Sequence, residues 1–506
     1  MRFRLALLLS LVLAAPAAAL TFRAVEPFVI DGAQDLIIVP EPWNKGLFIY
    51  AHGYTADQRS IVPYPADITP DNLGTKLTGG DLVLQIPLNL GYAVATTTYR
   101  SAGWAVADAV QDIENVRRHF IETYGQPMHS YIWGHSEGGM VTQAVLELAS
   151  PPYDGALPFC APGAGARRNF NGAFDLRAVY EYVCRDVPEA RFACHVCSGM
   201  KARCLVDADC PAGQTCGKAE RSPHPADGLT PTCASFLLDR PGHANEQPKF
   251  DDFVARSLTA CFGENTPAPT PEQAARKDLF LRITRVPESF VATDMFFASV
   301  GLAEVFHRRT HRRHPWGNAG VDYAAPMLTP VEQAALNRRV VRVRADAPAV
   351  KYMRRWFEPR AETSTKVLTL HALDDGLVLV ENEEKYREAF NAAGKLDQLV
   401  QLYTTGGGHC GFGGAEHVAA FLALTTWVEQ GTKPTTQSVA ATCNVLRTIP
   451  AVGGGECRFT EATPAEWGTR VIERRESGAP LRSLVCDGDP GDCPGKSTCS
   501  PDNHCR

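Results

Sequence analysis

The sequence has no surplus of positive charge: 50 Lys and Arg stand against 56 Asp and Glu, a formal charge of -6. A partner of nucleic acid needs the opposite balance to neutralise phosphates, so nucleic acid is excluded. Long hydrophobic runs are missing after the first residues, and none reads as a membrane-spanning stretch, so no transmembrane segment is expected. The chain is not short of apolar material, however. With 45% hydrophobic and 21% charged residues over 506 positions, intrinsic disorder and a small disulfide scaffold are both excluded.

The N-terminus carries Arg2 and Arg4, an apolar run from Leu5 to Leu13, and then Ala15-Pro16-Ala17-Ala18-Ala19. The run is about half of the roughly 20 residues that a bilayer span needs, so residues 1–19 read as a secretory signal peptide. Export to an oxidising compartment makes the sixteen cysteines a disulfide framework before it makes them thiol or metal sites. Eight fall between Cys184 and Cys261 and four between Cys486 and Cys505, while Cys160, Cys410, Cys443 and Cys457 stand apart. The two clusters share a repeat, Asp209-Cys210-Pro211-Ala212-Gly213-Gln214-Thr215-Cys216 returning as Asp492-Cys493-Pro494-Gly495-Lys496-Ser497-Thr498-Cys499. These Gly/Pro/Asp-rich loops cannot build a core and read as two nodules held by disulfides. Two rival readings are weaker: zinc at Cys194-x-x-Cys197, which has ligand spacing, and calcium at Asp487, Asp489 and Asp492.

Elsewhere, short β-branched apolar runs alternate with helical patterns, the signature of a parallel α/β sheet. Leu47–Ala51, Tyr92–Thr98, Ser130–Trp133 and Ala156–Cys160 read as strands, and Val106–Tyr124 and Met140–Leu148 as helices. Between the third strand and its helix lies Gly134-His135-Ser136-Glu137-Gly138. A Gly-x-Ser-x-Gly at such a turn forms a nucleophile elbow, in which Gly134 and Gly138 let strand and helix pass without Cβ atoms around a strained serine. Ser136 is therefore the candidate nucleophile. A serine needs a base in reach, itself oriented by a carboxylate, and on this kind of sheet both follow later in the chain. The strand Lys366–His371 runs into Asp374-Asp375-Gly376-Leu377-Val378, and the strand Leu399–Tyr403 runs into Gly406-Gly407-Gly408-His409-Cys410.

On these motifs, with His52-Gly53 after an early strand, the chain resembles secreted α/β-hydrolase serine esterases and lipases over roughly residues 25–165 and 363–432. The resemblance implies an α/β-hydrolase fold with Ser136, Asp375 and His409 as the catalytic triad. Asp375 is selected because the family's acid immediately precedes Gly/Pro-Leu-Val, with Asp374 as the substitute. His52 and Gly53 would shape the oxyanion loop, and the amides of Tyr54 and Glu137 would donate to the oxyanion. His371 and His417 read as ordinary solvated or hydrogen-bonded loop residues. One departure concerns the disulfide by which tannase and feruloyl-esterase-like enzymes join the residue before the serine to the one after the histidine. Here His135 precedes Ser136, so Cys410 pairs elsewhere, with Cys160 and Cys443 as candidates.

The domain plan expected is a signal peptide at 1–19, a first core part at 20–165, an inserted cap or lid with a cysteine nodule at 166–362, a second core part at 363–433 and a cysteine-rich tail at 434–506. The insertion shows helical patterns at Pro271–Ile283 and Phe290–Phe306, the second reading as lid core with a share in an apolar pocket. The run His307–His314 is the only basic cluster. It reads as a solvated face, with recognition of an anion as the alternative. The tail clamps the C-terminus or attaches the protein to a surface or polymer. The function expected is hydrolysis of a carboxylic ester, whether small molecule, lipid or polyester, through an acyl-enzyme and with no metal or organic cofactor. The alternatives are a serine peptidase, for which the sequence shows no paired carboxylates to hold a peptide terminus, and a non-catalytic binding protein on the same scaffold.

Overall fold

Successive residues of the central strands bury their side chains on opposite faces, so the sheet is sandwiched between two apolar layers. Ile37, Val39, Leu47 and Ile49 join one layer; Leu36, Ile38, Phe48 and Tyr131 join the other. The computed structural model describes residues 21–55, 64–69, 82–149, 152–187, 190, 195–198, 203–204, 210–219, 247–449, 452, 455–465 and 473–476. The leader, the second cysteine nodule, Cys194 and Cys233 lie outside these residues.

Strands β1 (Thr21–Ile30) and β2 (Ala33–Glu41) form an antiparallel hairpin. Its two-residue turn, Asp31-Gly32, takes left-handed φ values of 50° and 89°, as the twist of a tight hairpin requires. Strands β3 (Gly46–Ala51), β4 (Ala93–Thr97), β5 (His129–His135) and β6 (Gly155–Phe159) follow. Three short strands, β7 (His195–Cys197), β8 (Arg203–Cys204) and β9 (Cys216–Ala219), make a separate small sheet. Strand β10 (Val321–Ala324) lies in the insertion, and β11 (Lys366–Ala372) and β12 (Leu399–Thr404) return to the main sheet. The tail adds β13 (Phe459–Thr460) and β14 (Glu473–Glu476). The main sheet has nine strands in the order β1-β2-β4-β3-β5-β6-β11-β12-β13. From β4 through β12 every neighbouring pair is parallel, while β2 and β13 run antiparallel to the strands they join.

The helices Val106–Tyr124 and Glu137–Leu148 cover one face, and Leu82–Asn89 and Gly414–Gln430 the other. Phe48 stacks on Tyr131 at 4.4 Å and meets Trp133 and Phe421 at 5.6 and 5.1 Å. Each aromatic buried in this layer stabilises the sheet by about 1.5–3 kcal/mol. A mostly parallel sheet with this crossing order, an antiparallel second strand and a serine turn after β5 is an α/β-hydrolase fold.

Between β6 and β11 the chain forms helices at Ala166–Val183, Gln247–Phe262, Pro271–Thr284, Glu288–Arg309, Pro330–Arg339 and Ala347–Arg355. Thr270-Gln273 and Thr329-Glu332 start two of them with capping boxes, and Cys184–Cys261 joins the first to the second. Cys197 is bonded to Cys210, so it holds no free thiolate for a zinc site with Cys194. The helix Glu288–Arg309 is long and apolar enough to cross a bilayer by length and composition, which the reading of uninterrupted apolar runs did not register. Two thirds of its apolar window, 67%, is buried inside the protein.

Two surface readings need correction. The basic run is not wholly a solvated face, because Arg309 turns inward and its side chain is only 11% exposed. Its guanidinium donates to Glu304 Oε1 at 2.8 Å, Asp108 Oδ2 at 3.0 Å and the Ala102 carbonyl at 2.7 Å. Glu304 in turn accepts from the Trp104 amide at 3.0 Å, so this ion cluster ties the insertion to the loop before the helix Val106–Tyr124. His311, Arg312 and Arg313 remain exposed. The tail also does more than clamp an end. Its helix Thr436–Leu446 buries Val439, Cys443 and Leu446 against the Gly414–Gln430 helix, Cys443–Cys457 closes the turn behind it, and β13 extends the sheet.

Candidate active site

The turn after β5 forces Ser136 into a backbone conformation that few side-chain-bearing residues adopt, with φ 57° and ψ -123°. A Cβ on Gly134 would collide with the Gly138 carbonyl, and one on Gly138 with the carbonyls of Ala51 and His52. Both glycines are therefore needed sterically, and the turn projects Ser136 above the C-terminal ends of the strands.

Two later loops meet it there. His409 Nε2 lies 2.9 Å from Ser136 Oγ, and His409 Nδ1 lies 2.8 Å from Asp375 Oδ2. Asp375 is wholly buried; its Oδ1 accepts from the amides of Leu377 and Val378 at 3.0 and 2.9 Å. Burial alone would raise the pKa of this carboxyl, but the bonds from His371 and His409 outweigh it and hold the group ionised below the ordinary range. Asp374 points elsewhere. Its Oδ1 accepts from the Gly408 amide at 3.0 Å and so braces the loop that carries His409.

His52 and Gly53 lie beside the elbow, where a Cβ on Gly53 would come within 3.1 Å of the His135 carbonyl. The His52 ring stacks on Tyr99 at 3.9 Å, and the Tyr99 hydroxyl donates to the His52 carbonyl at 3.0 Å. Burial lowers the His52 pKa to about 4, so the ring is neutral and shapes the loop without adding charge. Tyr54 and Glu137, the two expected amide donors, both line the cavity at Ser136. The Glu137 carboxyl turns away from it to accept from the Ala105 amide at 2.6 Å, and burial pushes its pKa well up.

The cavity beside Ser136 has a volume of about 110 Å³. Trp104, Leu176, Val286, Phe297, Leu377 and Val378 give it an apolar wall, to which the insertion contributes through Leu176, Val286 and Phe297. Phe297 meets the Tyr54 ring edge-on at 5.5 Å, so the Glu288–Arg309 helix faces the site. Asp175 and Asp294 also line the cavity, and neither was singled out in the sequence, where isolated aspartates in helical stretches carry no signal.

Two histidines differ from their sequence reading. His417 is a buried helix residue whose Nδ1 hydrogen-bonds the Gly413 carbonyl at 3.1 Å. Its Nε2 meets His135 Nε2 at 3.0 Å, a contact made with both rings neutral because burial lowers both pKa values. His371 is fully buried on β11. The segment of His371 reads as a strand, whereas the helix that carries His417 was not read from the sequence, and nothing in either segment marked a buried polar contact.

Cys410 pairs with Cys160, the residue after β6, across 250 positions. This bond does what the missing one would have done, fastening the loop of His409 to the sheet one strand away from the elbow. Replacing both cysteines by alanine is expected to cost about 2–5 kcal/mol of stability. It should also lower turnover, since the base loop loses its tether. Thermal unfolding and ester kinetics on the double variant check this; an unchanged melting temperature would remove the disulfide from the account.

No protein-family model matches the sequence, and neither does any curated protein. Among solved structures, the rice cell wall degrading esterase LipA from Xanthomonas oryzae is similar at 14% identity over 83% of this chain and 86% of that one, with a TM-score of 0.35. An esterase from Aspergillus oryzae is similar at 13% identity over 81% and 80%, with a TM-score of 0.40. Likenesses this loose carry no argument, and the fold rests on the strand order and the elbow described above.

Proposed function

We propose that the protein is an exported serine hydrolase that cleaves carboxylic esters through an acyl-enzyme. Ser136 attacks the carbonyl, His409 takes its proton and returns it to the leaving alcohol, and Asp375 orients and stabilises the imidazolium. The amides of Tyr54 and Glu137 hold the oxyanion. The observation that carries this reading is the continuous hydrogen-bonded line from Asp375 through His409 to Ser136 at the edge of an apolar cavity. Export is supported by the leader composition and by the disulfides at Cys160–Cys410, Cys184–Cys261, Cys197–Cys210 and Cys443–Cys457. The segment 166–362 acts as a cap over the site.

The apolar wall of the cavity suits the acyl or alcohol part of an ester. A fluorophosphonate should label Ser136 alone, and chromogenic esters should be turned over, with a series of rising acyl length measuring how long a chain the apolar wall accepts. A second reading is favoured by Asp175 and Asp294, two carboxylates among the residues that line the cavity, since a peptidase can hold a substrate's amino terminus with carboxylates. Labelling at Ser136 with hydrolysis of aminoacyl anilides and no turnover of simple esters would select the peptidase. No labelling at all would point to a binding protein.

A further inference from the structure

Asp375 has a second histidine against it. The Nε2 atom of His371 lies 3.4 Å from Asp375 Oδ2, the same oxygen that meets His409, and 2.7 Å from the Val378 carbonyl. On the other side of the ring, Nδ1 lies 3.3 Å from Glu383 Oε1. Every atom facing a nitrogen of this imidazole is thus an acceptor. A neutral histidine carries one N–H and presents a lone pair on the other nitrogen, which here would point at a carboxylate. Glu383 is itself supplied with donors, since its Oε2 accepts from Thr369 Oγ1 and from Gln401 Nε2, each at 2.6 Å. It has no need of a proton to satisfy its surroundings.

Resting on the reading of Ser136, His409 and Asp375 as a triad, the geometry points to His371 as a positioning residue. Its buried imidazolium, clamped between Glu383 and Asp375, fixes the Asp375 carboxylate and weakens the pull of that carboxylate on the proton of His409. The line of charge then runs Glu383, His371, Asp375, His409, with alternating sign when His409 accepts the proton from Ser136. Burial disfavours a charge on His371, but the hydrogen bonds to Asp375 and Glu383 outweigh it and raise its pKa. The other titratable groups facing the pair are Tyr403, its neighbour in register on β12, and Tyr386 on the helix that carries Glu383. Burial pushes both phenols up and keeps them neutral, so Asp375 and Glu383 are the charges that act on the ring.

The sign of the effect follows. With the cation removed, the Asp375 charge is less compensated, protonated His409 is stabilised, and the base is lost at a higher pH. In His371→Gln the acid limb of the Ser136 labelling rate by fluorophosphonate should therefore move up by about one pH unit. The plateau rate should stay within about tenfold of wild type. A residue with a purely structural part would alter stability and leave the limb where it was, and that outcome overturns the proposal. Nitrogen NMR of isotope-labelled wild-type protein supplies a test that does not depend on the variant folding. The signals of His371, assigned in the wild-type protein by through-bond correlations to its own backbone and that of its neighbours Leu370 and Ala372, should show both ring nitrogens protonated from about pH 6 to about pH 9. An unprotonated ring nitrogen in that range overturns the proposal. If Ser136 takes no label in wild type, the proposed function fails, and the NMR result still decides the charge of His371.

Discussion

Ser136→Ala and His409→Ala are each expected to lower kcat by about 10⁴-fold or more while the protein stays folded. The size comes from how the three side chains work. His409 Nε2 is within 2.9 Å of Ser136 Oγ, so the serine becomes a nucleophile only as its proton moves to that nitrogen. Removing either partner abolishes the transfer, and the two losses do not add: the double variant should be about as slow as either single one. Stability should change little. Among the described residues Ser136 Oγ hydrogen-bonds His409 alone, and the elbow is held by backbone contacts, including the Ser136 amide to the Phe159 carbonyl at 3.1 Å. His409 is a partly exposed loop residue whose loop remains tethered by Cys160–Cys410 and braced by Asp374. Ester kinetics with circular dichroism on the same samples measures both halves of the expectation. Near-wild-type turnover in either variant would take the residue out of the mechanism.

The features of the site that could be read along the chain are those encoded locally. Gly134, Ser136 and Gly138 declare a turn because five consecutive residues fix both its sterics and its flanking strand and helix. The strands β3, β5, β6, β11 and β12 show as short apolar runs because parallel strands are buried on both faces. His409 stands out through the three glycines before it. What the sequence hides is set by residues far apart. The partner of Cys410 is 250 positions away, and two candidates were equal until the end of β6 was seen next to the base loop. Arg309 looks like its exposed basic neighbours, and only packing of the insertion against the loop at Trp104 brings Glu304 and Asp108 to it. His371 closes an apolar strand and reads along the chain as an ordinary solvated or hydrogen-bonded residue, although it is buried. Its charge depends on Glu383, which the helix Glu381–Ala392 delivers from the other side. The hairpin of β1 and β2 and the edge strand β13 also escaped notice, since no chemical motif drew attention to either segment.

Asp375→Asn should lower kcat by about 10³- to 10⁴-fold, whereas Asp374→Asn should cost less than about tenfold. The direction of the first effect is dictated by the donors on Asp375. The amides of Leu377 and Val378 both point at Oδ1, so an asparagine must place its carbonyl oxygen there. Its NH₂ then occupies the place of Oδ2 and faces His409 Nδ1 as a donor. That nitrogen must give up its proton to accept the bond, which moves the ring proton to Nε2, where it blocks the nitrogen that should accept from Ser136. The same NH₂ faces the Nε2–H of His371, so a loss of stability should accompany the loss of rate. Asp374 is different because, among the described residues, its Oδ1 accepts from the Gly408 amide alone, and the carbonyl oxygen of an asparagine can do the same. Its charge is exposed and lies off the line from Asp375 to Ser136, so removing it leaves the tautomer of His409 untouched. Steady-state kinetics on a short-chain ester ranks the two variants directly, and the reverse order would assign the acid to Asp374.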